Sequence, residues 1–306
     1  MKVLIFGSGG MVGSSTARQL KTNKSLSVIE STRFDTNLFS YEETKKIIEK
    51  NTPDIVVNCA AKVGGIVANN TNRTDFILNN LKINMNIIES IINFPEVKLI
   101  NLGSSCIYPL NAEIPISESS LMKGSLEPTN SPYAMAKLAA IEMGDAISKE
   151  YGHRVVNLMP TNLYGPGDNF SELDSHVIPG LIFRMNEAKK NNLMSFSVWG
   201  TGEPLREFLY VEDLAKAIDF IINKNIDSGL FNIGSNEEIS INELVHKIKD
   251  VIGFKGDILF DTSKPDGNPR KLLDSRKFKK LGWNPLVDLD TGLKLTYKWF
   301  QENSNN

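Results

Sequence analysis

A five-residue strand candidate, KVLIF at 2–6, passes directly into Gly7-Ser8-Gly9-Gly10-Met11-Val12-Gly13 and then into a helical pattern. This junction constrains the fold more than any other stretch of the 306 residues. Glycines at 7, 10 and 13 let a strand turn sharply into a helix, bring backbone N–H groups against a pyrophosphate, and seat helix on strand. A glycine loop alone is weak evidence. Placed after the first strand of a βαβ unit, it predicts a dinucleotide site.

The alternation that follows supports this. Strand candidates are LSVIE (26–30), DIVVNCAA (54–61), VKLINLGSS (97–105) and RVVNLMP (154–160). Several are almost continuously apolar, as strands covered on both faces of a parallel sheet must be. Between them, Ser40-Tyr41-Glu42-Glu43 has the pattern of a capping box opening a helix to near Lys50. A second helix over 73–94 carries Ile77, Leu81, Ile88 and Ile92 on one face, and a third spans 132–150. The expected fold is α/β, a doubly wound parallel Rossmann sheet with right-handed crossovers.

After Gly165-Pro166-Gly167 the alternation loosens. Ser240–Glu243 forms another capping-box pattern before a helix to Ile252, a Pro-Asp-Gly loop occupies 264–269, and an amphipathic helix runs from Leu289 to Phe300. The polar tail NSNN is expected to fray. The chain divides into a cofactor-binding region, 1–164, and a smaller, interleaved α+β substrate region, 165–306, parts of which return to the first.

Thirty-four basic and 36 acidic residues give a formal charge of −2, which supplies no basic face for nucleic acid or an anionic membrane. Two cysteines and three histidines make neither a disulfide framework nor a metal centre, so no metal is expected and a reducing, cytoplasmic setting fits. The apolar start is too short for a signal peptide, and no stretch approaches a membrane span. Which nicotinamide cofactor would bind is open at this level. Glu30 ends the second strand, where an acid can bond a ribose 2′-OH; Arg33, three residues on, can pair with a 2′-phosphate.

Ser131-Pro132-Tyr133-Ala134-Met135-Ala136-Lys137 places Tyr133 and Lys137 four apart, hence on one helix face. A lysine charge beside a phenol favours its ionised form, and such a tyrosine exchanges protons with a carbonyl or alcohol while a nicotinamide exchanges hydride. The upstream GSS at 103–105, ending a strand, completes the conjunction. Cys59, inside an apolar strand, reads as inert filler.

These residues resemble the extended short-chain dehydrogenase/reductases. AAKVGGIVANN (60–70), LGSSCIYP (102–109), LEPTNSPYAMAK (126–137), MPTNLYGPGDNF (159–170), SHVIPGL (175–181), VWGTGEPLREFL (198–209) and SKPDGNPRKLLD (263–274) are similar, more narrowly, to the GDP-L-fucose synthase family. That resemblance implies 3,5-epimerisation of GDP-4-keto-6-deoxy-D-mannose followed by NADPH-dependent reduction at C4, by a homodimer. It implies Tyr133 as proton donor, Lys137 as its tuning partner and nicotinamide-ribose contact, and Ser104 as the hydrogen bond to the C4 oxygen. Cys106 and His176 would be the acid–base pair of epimerisation. Arg33, Leu102, Gly103, Ser104, Ser105, Pro160, Thr161, Asn162, Leu163 and His176 would line NADP(H) with the glycine loop. Arg184, Trp199, Arg206, Asp266 and Lys271 would contact the nucleotide sugar, Lys271 near its diphosphate. Chemistry agrees: a C4 ketone acidifies C3 and C5, and a thiol and an imidazole titrate near neutrality.

Some relatives carry a basic residue where Gly9 stands, and Glu30 would crowd a 2′-phosphate, which weakens the NADP preference. Two rival readings remain: an NAD-retaining nucleotide-sugar 4-epimerase, with no need for Cys106 and His176, and a non-catalytic NADP-binding protein, with no need for any proton-transfer group.

Overall fold

The computed structural model describes residues 1–172, 174–264 and 266–303. The last three tail residues, 304–306, and position 265 of the Pro-Asp-Gly loop lie outside the described residues. Strand β1 (Lys2–Phe6) leads through the glycine loop into α1 (Met11–Lys21). There follow β2 (Ser27–Ser31), α2 (Tyr41–Asn51), β3 (Ile55–Asn58), α3 (Ile66–Thr71), α4 (Arg73–Ile91), β4 (Lys98–Leu102), α5 (Ser131–Tyr151) and β5 (Val155–Pro160). Next come β6 (Asn162–Tyr164), α6 (Val177–Lys190), β7 (Ser195–Trp199), β8 (Leu205–Tyr210), α7 (Val211–Asn223) and β9 (Gly229–Ile233). The chain ends with β10 (Glu238–Ser240), α8 (Ile241–Ile252), β11 (Asp257–Asp261), β12 (Arg270–Lys271), α9 (Arg276–Lys279) and α10 (Leu289–Asn303).

Six strands form a parallel sheet in the order β2-β1-β3-β4-β5-β9. The near-continuous apolar runs have the expected cause. Val3, Ile5, Val57, Ile100 and Val156 pack under α1 and α7, while Leu4, Phe6, Val56, Leu99 and Val155 pack under α2, α4 and α5. Both α7 and β9 come from beyond residue 165, so the second half of the chain completes the first sheet.

Three local expectations need correction. Strand β3 stops at Asn58, so Cys59–Ala61 leave the sheet as irregular backbone. The Ser40 box is half made: Ser40 accepts from the Glu43 N–H, but the Glu43 carboxylate accepts from the Asn37 N–H at 3.0 Å instead of closing on Ser40. The box at Ser240 is complete. On α4 the buried stripe runs through Phe76, Asn80, Ile83, Asn84, Ile87, Ile88 and Ile91; of the expected face Ile88 is buried, while Ile77 and Leu81 are only partly so and Ile92 follows the helix. Two asparagines in that stripe displaced the apolar pattern, and they do so for a reason. Asn58, Asn101 and Asn157 sit side by side on β3, β4 and β5, and Asn58 donates to Asn84 (3.0 Å) and Asn101 (3.2 Å). Asn101 in turn donates to Asn157 at 3.2 Å, giving each buried amide a partner.

A second layer is organised on β8. Its first residues pair with β12 and β10, and its last three pair with β6. Behind it, α6, α8 and α10 enclose a separate core around Tyr164, Met185, Leu244 and Phe300. Strand β8 therefore links the β10 and β12 segments to β6, which directly follows β5 of the first sheet.

Candidate active site

The site forms at the C-terminal ends of the parallel strands, beside the switch point where β2 and β3 leave β1 in opposite directions. Gly7 adopts φ +76°, and a Cβ there would lie 2.8 Å from Ala60. A Cβ on Gly13 would collide with the Gly7 carbonyl, so these two positions admit only glycine. Gly10 caps α1 without a side chain, and the first-turn N–H groups point into the cradle with no intrahelical acceptor. Ser8 is buried and its hydroxyl has no hydrogen-bond partner. An orphaned hydroxyl, free amides and a helix N-terminus in a side-chain-free hollow fit a pyrophosphate.

Around this cradle the predicted cofactor residues fall where the strands end. Leu102 finishes β4 and Gly103 follows it, with Ser105 buried beyond; Pro160 closes β5, followed by Thr161, Asn162 and Leu163. Thr161 and Asn162 both donate to the Glu207 carbonyl, at 3.2 and 2.9 Å, which fixes this wall against β8. Glu30 forms an ion pair with Lys21 of α1. Arg33 is exposed, its guanidinium 5.0 Å from the Phe34 ring centroid. Gly9 has only the Thr32 side chain near it, at 3.5 Å, which leaves the rim open.

Tyr133 and Lys137 lie one turn apart at the start of α5, as their spacing predicts. The Lys137 ammonium is 5.9 Å from the Tyr133 ring centroid and donates to the Leu102 carbonyl at 2.7 Å. Burial pushes it down to about 8. Tyr133 departs from the expected lowering. Burial and the neighbouring Cys106 push the phenol up, against a hydrogen bond from Ser104 that pulls it down. The phenol is therefore loaded as a proton donor across neutral pH. Ser104 also accepts from the Cys106 N–H at 3.2 Å, which starts the tight turn Ser105–Ile107.

That turn places the Cys106 sulfur against two donors: Asn130 Nδ2 at 3.5 Å and Lys271 Nζ at 3.7 Å. Lys271, expected near a diphosphate, thus also reaches the thiol. Asn130 was not anticipated, although its place directly before SPY marked it as a helix cap. Cys59 is the inert thiol expected, pushed up to about 12 by burial.

His176 is the N-cap of α6 and remains exposed. Desolvation by the surrounding protein lowers its pKa, and the adjoining helix N-terminus disfavours the imidazolium further. Among the described residues no hydrogen bond joins it to Cys106. Its segment is tied to the glycine-rich 63–66 stretch through the Gly65 N–H and Asp174 carbonyl, 3.3 Å apart.

On the substrate side, Arg184 lies 5.7 Å from the Trp199 ring and 5.3 Å from that of Phe196. Trp199 keeps 51% of its surface exposed, a large aromatic face free to stack. Arg206 pairs in register with Lys271, and burial lowers the pKa of its guanidinium. Asp266 accepts from Thr201 through each carboxylate oxygen, at 2.9 Å from its N–H and 2.8 Å from its hydroxyl, and so shapes the 199–202 turn beside Trp199. Among the described residues no cluster of His, Cys, Asp and Glu is suited to a metal.

Residues 3–234 match the NAD dependent epimerase/dehydratase family. The chain belongs to that family. Within it, the chain is 47% identical over 302 residues to a GDP-L-fucose synthase of Sinorhizobium fredii, covering 99% of this chain and 96% of the relative. It is 46% identical over 303 residues to a probable GDP-L-fucose synthase 1 of Oryza sativa subsp. japonica, covering 99% and 92%. A solved GDP-L-fucose synthetase of Naegleria fowleri bound to NADP superposes with a TM-score of 0.88 at 29% identity, covering 100% of this chain and 95% of that one. For this epimerase/dehydratase family member, Tyr133, Lys137 and Ser104 stand at the mouth of the dinucleotide cradle, and Cys106 adjoins them.

Proposed function

We propose that the protein converts GDP-4-keto-6-deoxy-D-mannose to GDP-L-fucose, epimerising C3 and C5 and then reducing C4 with NADPH. One observation carries the reading: a second proton-transfer group, Cys106, sits within the Ser104–Tyr133–Lys137 cluster. Redox chemistry at one carbonyl needs the cluster, while inversion at the neighbouring carbons needs a further base. Full-length similarity to GDP-L-fucose synthases supports the same substrate.

Ser104 and Tyr133 donate hydrogen bonds to the C4 oxygen and stabilise the enolate that forms when a C–H proton leaves C3 or C5. Cys106 and His176 take that proton and return one to the opposite face. The glycine loop and the ends of β4 and β5 would hold NADPH, which when bound would supply the hydride for C4. Tyr133 then gives its phenolic proton to the C4 oxygen, and Lys137 stabilises the phenolate left behind. Arg184 and Arg206 neutralise the diphosphate and Trp199 stacks on guanine. Residues 1–164 mainly serve the cofactor and 165–306 the nucleotide sugar.

The quaternary reading is a homodimer, supported by the exposed apolar residues Leu78 and Met85 on α4 and Met135 on α5. Two free cysteines support a cytoplasmic setting. No helix among the described residues is long and apolar enough to cross a membrane.

The test is incubation with GDP-4-keto-6-deoxy-D-mannose and either NADPH or NADH. Stoichiometric NADPH oxidation with GDP-L-fucose as product is the expected result. Sugar epimerisation without net cofactor consumption would assign a 4-epimerase, and tight NADPH binding without turnover a non-catalytic protein.

A further inference from the structure

Glu207 is fully buried in the middle of β8, and the reaction proposed above gives its carboxylate no task. Taking a carboxylate out of water is costly, and burial raises its pKa accordingly. No cation offsets that cost among the described residues. Glu238, its antiparallel partner on β10, is itself engaged by Arg270, which donates through Nε and Nη2 at 2.6 to 3.1 Å.

What receives the Glu207 carboxylate is main chain. Oε1 accepts from the Asn236 N–H at 2.7 Å, and Oε2 accepts from the Leu273 N–H at 3.1 Å. Asn236 stands between β9 and β10 in the left-handed region, at φ +66°, and Leu273 lies two residues past Lys271 of β12. Gly234 makes room for this arrangement, because a Cβ there would lie 2.2 Å from Oε1. An amide in place of the carboxylate could accept from only one of the two N–H groups, since its other end carries donors of its own. Both ties together require a carboxylate.

Successive side chains on a strand leave on opposite faces. Glu207 is therefore sunk beneath β8 while its neighbour Arg206, only partly buried, leaves on the other side. Arg206 pairs in register with Lys271, and its Nη1 donates to the Leu205 carbonyl at 2.8 Å. Gly267 leaves space for Nη2, which lies 3.0 Å from where a Cβ would stand. The main chain of Glu207 faces a different task. Its carbonyl accepts from Thr161 and Asn162 on the cofactor wall, and Thr161 is secured separately by its N–H to the Ile233 carbonyl at 3.0 Å.

We propose that Glu207 is the positioning residue of the nucleotide-sugar site: from beneath β8 its carboxylate fixes β12, so that Arg206 and Lys271 present their cations together to the diphosphate. This rests on the nucleotide-sugar substrate proposed above. The carboxylate does not meet the ligand; it acts through the main chain at Leu273 and Asn236. Its side chain serves the nucleotide and its carbonyl serves the cofactor wall, so a side-chain substitution separates the two.

Calorimetry on the full chain measures GDP and NADPH binding separately in the parent, Glu207→Gln and Gly234→Ala proteins, with melting temperatures beside them. Glu207→Gln keeps one acceptor; the shorter bond to Asn236 retains it and Leu273 is released. The GDP dissociation constant is expected to rise roughly tenfold, the ordinary effect of losing a hydrogen bond to a charged group. NADPH binding should stay within about twofold of the parent's, because the main-chain carbonyl still holds Thr161 and Asn162. Gly234→Ala presses on Oε1 from the other side and should weaken GDP binding in the same direction. With the keto-sugar, KM should rise by the same factor as the GDP constant and kcat should change by less. Unaltered GDP affinity in Glu207→Gln would overturn the assignment. So would an equal loss of GDP and NADPH affinity with a lowered melting temperature, the mark of a general structural role. A parent that binds both ligands without turning over the keto-sugar would sink the proposed reaction, and a selective loss of GDP binding in Glu207→Gln would still leave the positioning role standing.

Discussion

Two acids in this site each have a lysine beside them, and their surroundings differ. Tyr133 is set by neighbours close to the strand ends: Lys137 is one turn away on α5, Ser104 bonds the phenol, and Phe76 of α4 packs edge-on with ring centroids 6.3 Å apart. Cys106 lies on the cleft side, partly buried, and its neighbours come from a tight turn, a helix cap and a distant two-residue strand. The first cluster suits a step in which a proton must stay on its donor until hydride arrives. The second suits repeated exchange with carbon and solvent. A helix turn sets the reducing pair, whereas segments far apart in sequence set the surroundings of the thiol.

Replacing Tyr133 by Phe tests that division most severely. Reduction should fall by roughly 10³-fold, within the usual range for losing a general acid, while deuterium wash-in at C3 and C5 continues. Equal loss of both activities in product and exchange assays would erase the distinction. Cys106→Ser should do the reverse, cutting wash-in by about 10²-fold while NADPH is still consumed on the unepimerised ketone. The product identified by NMR would then be a GDP-6-deoxyhexose other than GDP-L-fucose.

Lys137 offers a stability test of dryness. Burial holds its folded-state pKa at about 8, below that of the unfolded chain. Between those two values the unfolded chain binds more protons, so stability rises with pH through that window; below about 8 the full penalty applies. Lys137→Met should therefore abolish reduction yet gain up to about 3 kcal/mol over the parent at pH 7, an advantage that fades by pH 10. Denaturant titrations at the two pH values check this, and a pH-independent difference would mean the ammonium is better solvated than its position implies. The smallest effect is expected on the nucleotide side: Trp199→Ala should raise KM about tenfold with little change in kcat, since stacking on guanine is remote from the bonds that change.

Legibility in the sequence followed the same line between local and assembled. Strands β1, β4 and β5 could be read because burial on both faces writes itself as runs that are apolar but for one or two positions. Tyr133 and Lys137 could be read because a helix brings i and i+4 together. The stripe on α4 was misread because Asn80 and Asn84 are buried by hydrogen bonding, which no hydrophobic period records. The contact of Lys271 with Cys106 could not be read because its position depends on β8, Glu207 and Ile116, all far off in sequence. Asp266 carries a charge that suggests a ligand, and only the fold reveals that Thr201 uses both its oxygens.

The asparagine row across β3, β4 and β5 acts as a registration pin. Its amides carry no net charge, so acid or base within the working range of the site does not loosen it. A slip of one residue between any two of these strands would turn an amide out of line and strand it in apolar surroundings. The loops that bear Ser104, Cys106 and Thr161 all spring from strands aligned by that row. Chemistry above the sheet can thus be altered loop by loop, by selection or by design, without re-aligning the platform from which every loop is measured.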